Sequence, residues 1–496
     1  MAESQSAFKP SHVGIIGAGV SGLRCASVLL EQGFGVTILE ARDRIGGRIC
    51  QSDKLGYTVD IGPNWIHAND SEDPNPVFKI AQQTKTPLHS WNDKQLIYDS
   101  SGNVLSGDLA DRLSTILWEI IEEAFQFSAQ SAARNDDSIP NHASLYDFIK
   151  QEAEKKLENE EEKSLLLKMS EMFGAYVGEP VWKQSLKFSW MEECCGGDEV
   201  FVQSSYSEIL KEIARPALTG AKILLNTYVE AIVTPETREA NTQTSLRLQN
   251  GQTLDFDEIV VTIPLGWLKR NQAAFSPPLP LHLTSAVDSI SLSQLEKVFI
   301  TFPSAFWNHT QTSDTFPSYT NWLRPSYATD TNPEGWPQEI WDLSSFEAPN
   351  KHPTILFYTY GDCSRYIVES IHNLSADAEF RFLDHFFQPY YSRLPGYDKT
   401  SQACKPKAIL ATKWLKDDLN GNASYCNFQV GVEEADKNVL AFREGCPERR
   451  LWFCGEHAAP FEECGTVAGA YLSGEAAGKK ILEIYDTPKV QGAANE

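Results

Sequence analysis

Residues 13–48, VGIIGAGVSGLRCASVLLEQGFGVTILEARDRIGGR, constrain the fold more than any other stretch of the chain. An apolar run at 13–16 ends in Gly17, Gly19 and Gly22, an Ala/Leu-rich helical segment follows, and a second apolar run at 36–39 closes on Glu40. Strand, glycine turn, helix, strand and acid in that order predict a βαβ unit that holds a dinucleotide. Gly17 permits the tight turn out of the first strand, Gly19 lets backbone N–H groups approach a pyrophosphate, and Gly22 allows close packing of helix on strand. The phosphates then meet a helix N-terminus, where unpaired N–H groups and the helix dipole both favour negative charge. Glu40 suits the ribose hydroxyls of an adenosine diphosphate without a 2′-phosphate. The motif by itself leaves NAD and FAD both open.

At 496 residues the chain is long enough for two or more folding units. A hydrophobic content of 42% with 22% charged residues describes a globular protein rather than a disordered or fibrous one. The opening MAESQSAFKPSH is polar and the apolar run after it belongs to the βαβ unit, so no signal peptide is expected. No apolar stretch approaches the ~20 residues that span a bilayer, and VQGAANE carries no peroxisomal or ER-retention address. The expectation is a cytoplasmic protein with no membrane partner. Ten cysteines without paired CxxC spacing predict reduced thiols rather than a disulfide framework, and no metal site.

The net charge of −24 argues against a nucleic-acid partner, because phosphate contacts need clustered Lys and Arg. Two readings of the acidic excess stay open: it keeps the protein soluble, or it raises the local concentration of a cationic substrate. Residues 160–162, within QEAEKKLENEEEKSLLLK, read as the solvated face of a helix. Further along, 223–234 and 258–268 look like strands and turns, and 451–482 like a strand, a glycine-rich loop and a small-residue helix. Between these pieces, the region at about 90–200 is rich in amphipathic helical sequence, and that at 290–405 alternates aromatic and β-branched runs with turns.

The continuation ARDRIGGR resembles the flavoprotein amine-oxidase family. The resemblance extends over nearly the whole chain as an ordered series: DIGPNWIHAND, CGGDEVFV, TIPLGWL, LEKVFITFPSAFW and GEH with GTVAGAYLSGE. Among amine oxidases, DIGPNWIHA is most similar to the polyamine oxidases. The resemblance implies an α/β fold: a Rossmann-like FAD-binding domain at 10–90, 201–289 and 406–486, and an α+β substrate-binding domain at 91–200 and 290–405, a mixed sheet flanked by helices. Residues 1–9 and 487–496 are expected to be flexible termini.

By the same resemblance Arg42 lies near the adenosine end with Ala41 among the cofactor contacts, Gly46 and Gly47 bring backbone close to the cofactor, and Arg48 offers guanidinium donors; surface charge is the alternative for both arginines. Val229 matches a residue whose backbone meets the adenine, Glu456 an acid reaching the ribitol or pyrophosphate, and Thr466, Val467 and Ala468 residues over the flavin ring. Monoamine oxidases attach flavin through a cysteine just before an aromatic residue; here that place holds Ser424, with Cys426 on the wrong side, which implies non-covalent FAD.

For catalysis the resemblance points to His67, Lys297 and Tyr425. His67 falls where the family has a histidine beside the flavin in the substrate tunnel, able to bias an amine toward its neutral form; a core histidine packed against Trp65 is the alternative. Lys297 matches a lysine that holds a water against flavin N5 and assists reoxidation by dioxygen; a surface lysine at a strand edge is the alternative. Tyr425 matches an aromatic wall beside the flavin, whereas the second tyrosine of monoamine oxidases is replaced by Gly465, Thr466 and Val467. Trp65, His67, Tyr425 and Thr466 are the expected substrate contacts. Glu192, Glu193 and Asp198 are either anchors for distal ammonium groups or surface acids at a bend.

These implications converge on an FAD-dependent polyamine oxidase. It would oxidise a C–N bond of spermine, spermidine or an N-acetylated form by hydride transfer, with hydrolysis to aldehyde and amine and dioxygen reduced to hydrogen peroxide. Its partners would be a small polyamine and dioxygen. The alternatives are oxidation of a monoamine, an L-amino acid or a pathway-specific alkaloid amine, and a demethylase-like or chromatin-interaction role.

Overall fold

The computed structural model describes residues 11–67, 75–91, 94–136, 138–192, 199–239, 242–308 and 316–486. The expected flexible termini, Glu193 and Asp198 lie outside the described residues. Two compact units emerge, one from 1–49, 207–288 and 436–496, the other from 50–206 and 289–435.

The first unit is built on a five-stranded parallel sheet in the order Leu451–Phe453, Glu258–Val261, His12–Ile16, Gly35–Leu39, Lys222–Leu224. Four of its strands are short apolar runs buried on both faces, as parallel strands covered by helices require, and the edge strand Lys222–Leu224 is more exposed. Helix Val20–Glu31 follows the first strand, and helix Val467–Asp486 packs along it. The small-residue composition of the second helix follows from that contact. A Cβ on Gly474 would stand 2.1 Å from Ser21 O, and one on Gly478 2.9 Å from Val28 Cβ, so the helices approach with no side chain between them. A four-stranded sheet in the order Thr253–Phe256, Thr244–Leu248, Val229–Val233, Phe275–Ser276 completes the unit.

The second unit carries a six-stranded mixed sheet in the order Ala408–Ala411, Leu295–Thr301, Thr354–Tyr360, Gln338–Asp342, Tyr319–Trp322, Gln95–Tyr98. Alternation along each strand gives its faces different chemistry. On one face Val298, Ile300, Ile340 and Phe357 join Phe386, Phe387 and Tyr390 of helix Ala376–Tyr391 in an apolar core. The opposite face bears two cross-strand rows. Phe299, Leu356, Trp341 and Tyr319 form one; Lys297, Tyr358, Glu339 and Asn321 form the other. Trp65, Trp91 and Phe201 cover this face.

Elsewhere in this unit, helix Gly107–Arg134 buries Ala110, Leu113, Leu117, Ile120, Ile121 and Ala124 at helical spacing. The acidic tract belongs to two helices rather than one. Leu145–Lys156 ends before Asn159, whose side chain accepts from the backbone of Glu161 and Glu162 and starts Glu160–Met169. Residues 160–162 therefore occupy a first turn, where their charge complements the helix dipole. Helices also occur within 290–405, at Gly361–Ile371 and Ala376–Tyr391, where the sequence reads as alternating runs.

Compactness divides the chain differently from the expected borders. Residues 50–90 join the second unit because Trp65–His67 and Leu88–His89 both pair with Glu199–Val202. Residues 406–435 join it because Ala408–Ala411 pairs with Leu295–Thr301. Strand pairing ties these segments to the second unit in a way that local pattern does not reveal.

Candidate functional site

In the first unit the glycine turn is shaped around a vacant approach to backbone. Gly17 adopts φ +110°, and a Cβ there would strike Thr262 Oγ1 at 2.4 Å; one on Gly22 would stand 2.2 Å from Gly17 O. By contrast, a Cβ on Gly19 would meet nothing within 4 Å, although Gly19 is the N-cap of helix Val20–Glu31 and no side chain caps that helix. The first two glycines are dictated by packing, whereas Gly19 faces open space at an uncapped helix start. Gly47 lies against Gly19, with its ideal Cβ 3.4 Å from Gly19 Cα, and Gly46 N donates to Ala18 O at 2.8 Å. The second glycine pair is thus folded onto the first.

Glu40 closes the cradle. It is buried, with Oε2 accepting from Ala18 N and Oε1 from Arg42 N, both at 2.8 Å, and each oxygen keeps a further lone pair. Ala41 and Arg42 continue from it half-buried. Asn226 N donates to Arg42 O and Thr227 N to Glu40 O, both at 2.8 Å, which brings Val229 to the same end. On the far side Arg48 Nη1 donates to Glu456 Oε1 at 3.0 Å. Gly465 N donates to Glu456 O, and Thr466 Oγ1 accepts from Gly469 N in the first turn of the helix that Val467 begins. All twelve expected cofactor residues therefore fall in the first unit.

His457, beside Glu456, was not singled out by the sequence. It is 1% exposed, burial pushes it down to about 4 against the opposing pull of Glu456, and its Nδ1 has no partner. A neutral imidazole with an unused nitrogen, an uncapped helix start and a buried acid at a strand end fit a dinucleotide cofactor.

In the second unit Lys297 is 6% exposed in an interior strand of the sheet, which excludes the surface reading. Its Nζ donates to Gly62 O and Asn64 Oδ1, lies 3.5 Å from Asp60 O, and stands over the Tyr358 ring at 5.6 Å. Burial lowers the Lys297 ammonium and raises the Asp60 carboxyl, which accepts from Tyr206 N, Ser205 Oγ and Gln51 Nε2. Tyr358 OH donates to Asn64 Oδ1 at 3.2 Å and accepts from Trp65 Nε1 at 3.2 Å. One network thus joins Lys297, Asn64, Tyr358 and Trp65.

His67 sits two residues beyond Trp65 on the same strand, half-buried, with Nδ1 at 3.1 Å from Glu199 Oε1. In the neutral ring that contact places the proton on Nδ1 and leaves Nε2 as an acceptor. His67 is therefore not a core histidine stacked on Trp65, whose ring instead meets Trp341 and Phe201 at 4.8 and 5.0 Å. Tyr425 OH donates to Tyr176 O at 2.7 Å. Ser424 is buried and bonded to Ser293 Oγ at 2.9 Å.

Glu192 is a half-buried acid next to the strand that follows Tyr425 rather than a surface acid at a bend. It accepts from Phe428 N and Asn427 Nδ2, both at 3.3 Å, and burial pushes it up to about 7. Asn64, Glu199, Asn321, Glu339 and Tyr358 complete the surroundings. Asn64 stood next to Trp65 within a recognisable motif, whereas Glu339 and Asn321 come together only through strand register.

Among the described residues no group of three His, Cys, Asp or Glu could hold a metal ion, and no helix is long and apolar enough to cross a membrane.

Comparison with known proteins adds the following. The family described as flavin containing amine oxidoreductase matches residues 20–482. A probable polyamine oxidase 4 of Arabidopsis thaliana is 27% identical over 488 residues, covering 96% of this chain and 87% of the relative. A lysine-specific histone demethylase 1 homolog 2, also from Arabidopsis thaliana, is 26% identical over 489 residues; the match covers 95% of this chain but only 58% of that protein. Among solved structures, a redesigned putrescine oxidase superposes with a TM-score of 0.70 at 17% identity, over 96% of this chain and 99% of that one.

Proposed function

This chain belongs to the flavin-containing amine oxidoreductases, with FAD as its cofactor, and on that premise we propose that it oxidises a polyamine at a carbon–nitrogen bond. The observation that carries the reading is the aromatic face of the second unit. Its two rows, from Lys297 to Asn321 and from Phe299 to Tyr319, include a buried carboxylate and no arginine. An amino-acid oxidase needs a cationic group for the substrate carboxylate, and the cation of these rows, Lys297, is already engaged by Asp60 O, Gly62 O and Asn64 Oδ1, whereas aromatic rings and carboxylates favour an alkylammonium.

Bound flavin supplies a two-electron acceptor for the hydride on the carbon next to the amine nitrogen. The chain's part is to hold, orient and deprotonate. Gly19 and the start of helix Val20–Glu31 receive the pyrophosphate, Glu40 takes the ribose hydroxyls, and Arg48, Glu456 and Thr466 meet the remainder of the cofactor. Ser424, tied to Ser293, offers no thiol for a covalent link, so the flavin is held non-covalently.

Only the neutral amine releases its hydride readily. His67, oriented by the contact of its Nδ1 with Glu199, is the residue assigned to take the ammonium proton. Trp65, Tyr358 and Tyr425 provide ring faces that favour the positive charge developing on the substrate. Lys297 donates to Gly62 O, Asn64 Oδ1 and, in a long bond of 3.5 Å, Asp60 O; exchanging that third, weakest bond for one to a water is its part in reoxidation by dioxygen.

The test is a panel of spermine, N-acetylspermine, tyramine and L-phenylalanine against holoenzyme under anaerobic conditions, read by loss of flavin absorbance. Reduction by a polyamine at the highest rate, with hydrogen peroxide formed on readmitting air, is expected; reduction by another amine alone overturns the reading. A second reading, demethylation of a methylated lysine peptide, is favoured by the demethylase relative, which matches 95% of this chain. Such a peptide in the same panel tests it, with formaldehyde release as the readout.

A further inference from the structure

We propose that Glu339 and Asn321 form a binding site for an ammonium group of the substrate, at the inner end of a cluster whose outer carboxylate is Glu199. The proposal rests on the polyamine reading above and assigns two residues to it.

Glu339 and Asn321 face each other directly across adjacent antiparallel strands, so their side chains share one face of the six-stranded sheet. They are 5% and 1% exposed. Tyr319 OH donates to Glu339 Oε2 at 3.1 Å, and Asn321 Nδ2 donates to Tyr319 OH at 3.1 Å. An ionised carboxylate only accepts and a hydroxyl has one proton, so with Glu339 ionised Tyr319 donates to it and accepts from the amide, which fixes which way Asn321 points. Asn321 Oδ1 is then an acceptor with no donor, in a place where orphaned polar atoms are rare. A carboxylate and an orphaned amide oxygen together make an acceptor-rich site in need of N–H donors.

The walls suit a cation. The Tyr319 and Trp341 rings stand 5.1 Å apart, and Trp341 follows Glu339 by two residues on the same face. A buried carboxylate in this setting is costly even with the Tyr319 and Trp341 side chains donating to it, and burial pushes Glu339 up to about 8. An arriving ammonium with three donors offsets that cost by satisfying carboxylate and amide oxygens at once. Tyr176 connects this inner site to the outer one. Its residue is 44% exposed, yet its hydroxyl is buried where both Glu199 and Glu339 push its pKa further up. Glu199, 39% exposed, is the carboxylate that engages His67. Two carboxylates, one 39% and the other 5% exposed, that both act on one tyrosine match a flexible chain whose nitrogens are separated by a few methylenes.

The experiment is anaerobic calorimetric titration of holoenzyme with spermine and with hexylamine, which has a single nitrogen, in wild type, Glu339→Gln, Glu339→Asp and Asn321→Ser. The expected result is spermine binding weakened tenfold or more in Glu339→Gln, several-fold in Asn321→Ser and little in Glu339→Asp, with hexylamine affected less than twofold throughout. Equal weakening of both ligands, or none, overturns the assignment. If Glu339→Gln fails to retain flavin, Asn321→Ser decides by the same criterion. Should spermine reduce the wild-type flavin while the variants bind it normally, only the assignment fails; should spermine neither bind nor reduce, the polyamine reading falls with it.

Discussion

Arg48 and Glu456 meet at 3.0 Å, an ion pair that joins the end of the glycine-rich segment to the turn leading to the C-terminal helix. Glu456 is nearly buried at 5% exposure and Arg48 is 28% exposed, so the pair is partly shielded from solvent. Replacing Arg48 by Met leaves a buried carboxylate without its partner. The expected outcome is loss of bound FAD on gel filtration and a lowered Tm, whereas Glu456→Gln lowers FAD retention with a smaller loss of stability.

Gly19 and Gly22 separate cofactor binding from folding. Open space around Gly19 means that Gly19→Val folds and obstructs the cofactor, so FAD affinity drops tenfold or more while the apoprotein keeps its Tm. In Gly22→Ala the new methyl meets Gly17 O, and overpacking costs about 1–3 kcal/mol. Thermal unfolding of both apoproteins with FAD titration distinguishes the two effects.

Lys297→Met removes the donor to Gly62 O and Asn64 Oδ1. Stopped-flow measurement of the two half-reactions is expected to show flavin reoxidation by dioxygen slowed tenfold or more, with reduction by substrate changed far less. Equal slowing of both half-reactions places Lys297 in substrate binding instead.

His67 and Glu199 act as one unit if the carboxylate orients the ring. His67→Gln and Glu199→Gln each lower kcat/KM, and the double variant loses less than the product of the single effects, with a coupling of about 1 kcal/mol. Additive losses indicate that the two residues act separately.

Glu339 makes stability depend on pH with a defined sign. Its folded value, raised by burial to about 8, exceeds the unfolded one, so the folded state binds the extra proton between them and loses stability as pH rises through that window. The groups facing it are Tyr176, Tyr319, Tyr358 and Tyr360, all raised by burial, with Lys297 on the same row and Glu199 beyond Tyr176. Glu339→Gln is therefore expected to raise Tm by a few degrees at pH 9 and hardly at all at pH 5, by differential scanning calorimetry.

The cofactor half was legible because its determinants are local. Gly17, Gly19, Gly22 and Glu40 lie within one βαβ unit, and backbone geometry there follows from residue type. The substrate face was legible only where it borrowed a motif. Trp65 and His67 stood in one, and Lys297 was conspicuous as a charge in an apolar strand. Glu339 and Asn321 carry no local signal, because they meet only once the sheet has set their register. Residues 50–90 cluster with the second unit for the same reason: strand partners more than a hundred positions away decide where that segment packs.

The first unit's central strand, His12–Ile16, has Glu258–Val261 beside it and Leu451–Phe453 beyond that, and its helix is covered by Val467–Asp486. During synthesis the earliest part of this sheet must therefore wait, with apolar edge and face uncovered, until residues 451–486 have left the ribosome. Nascent strands left uncovered that long are open to aggregation, a hazard separate from the stability of the finished sheet.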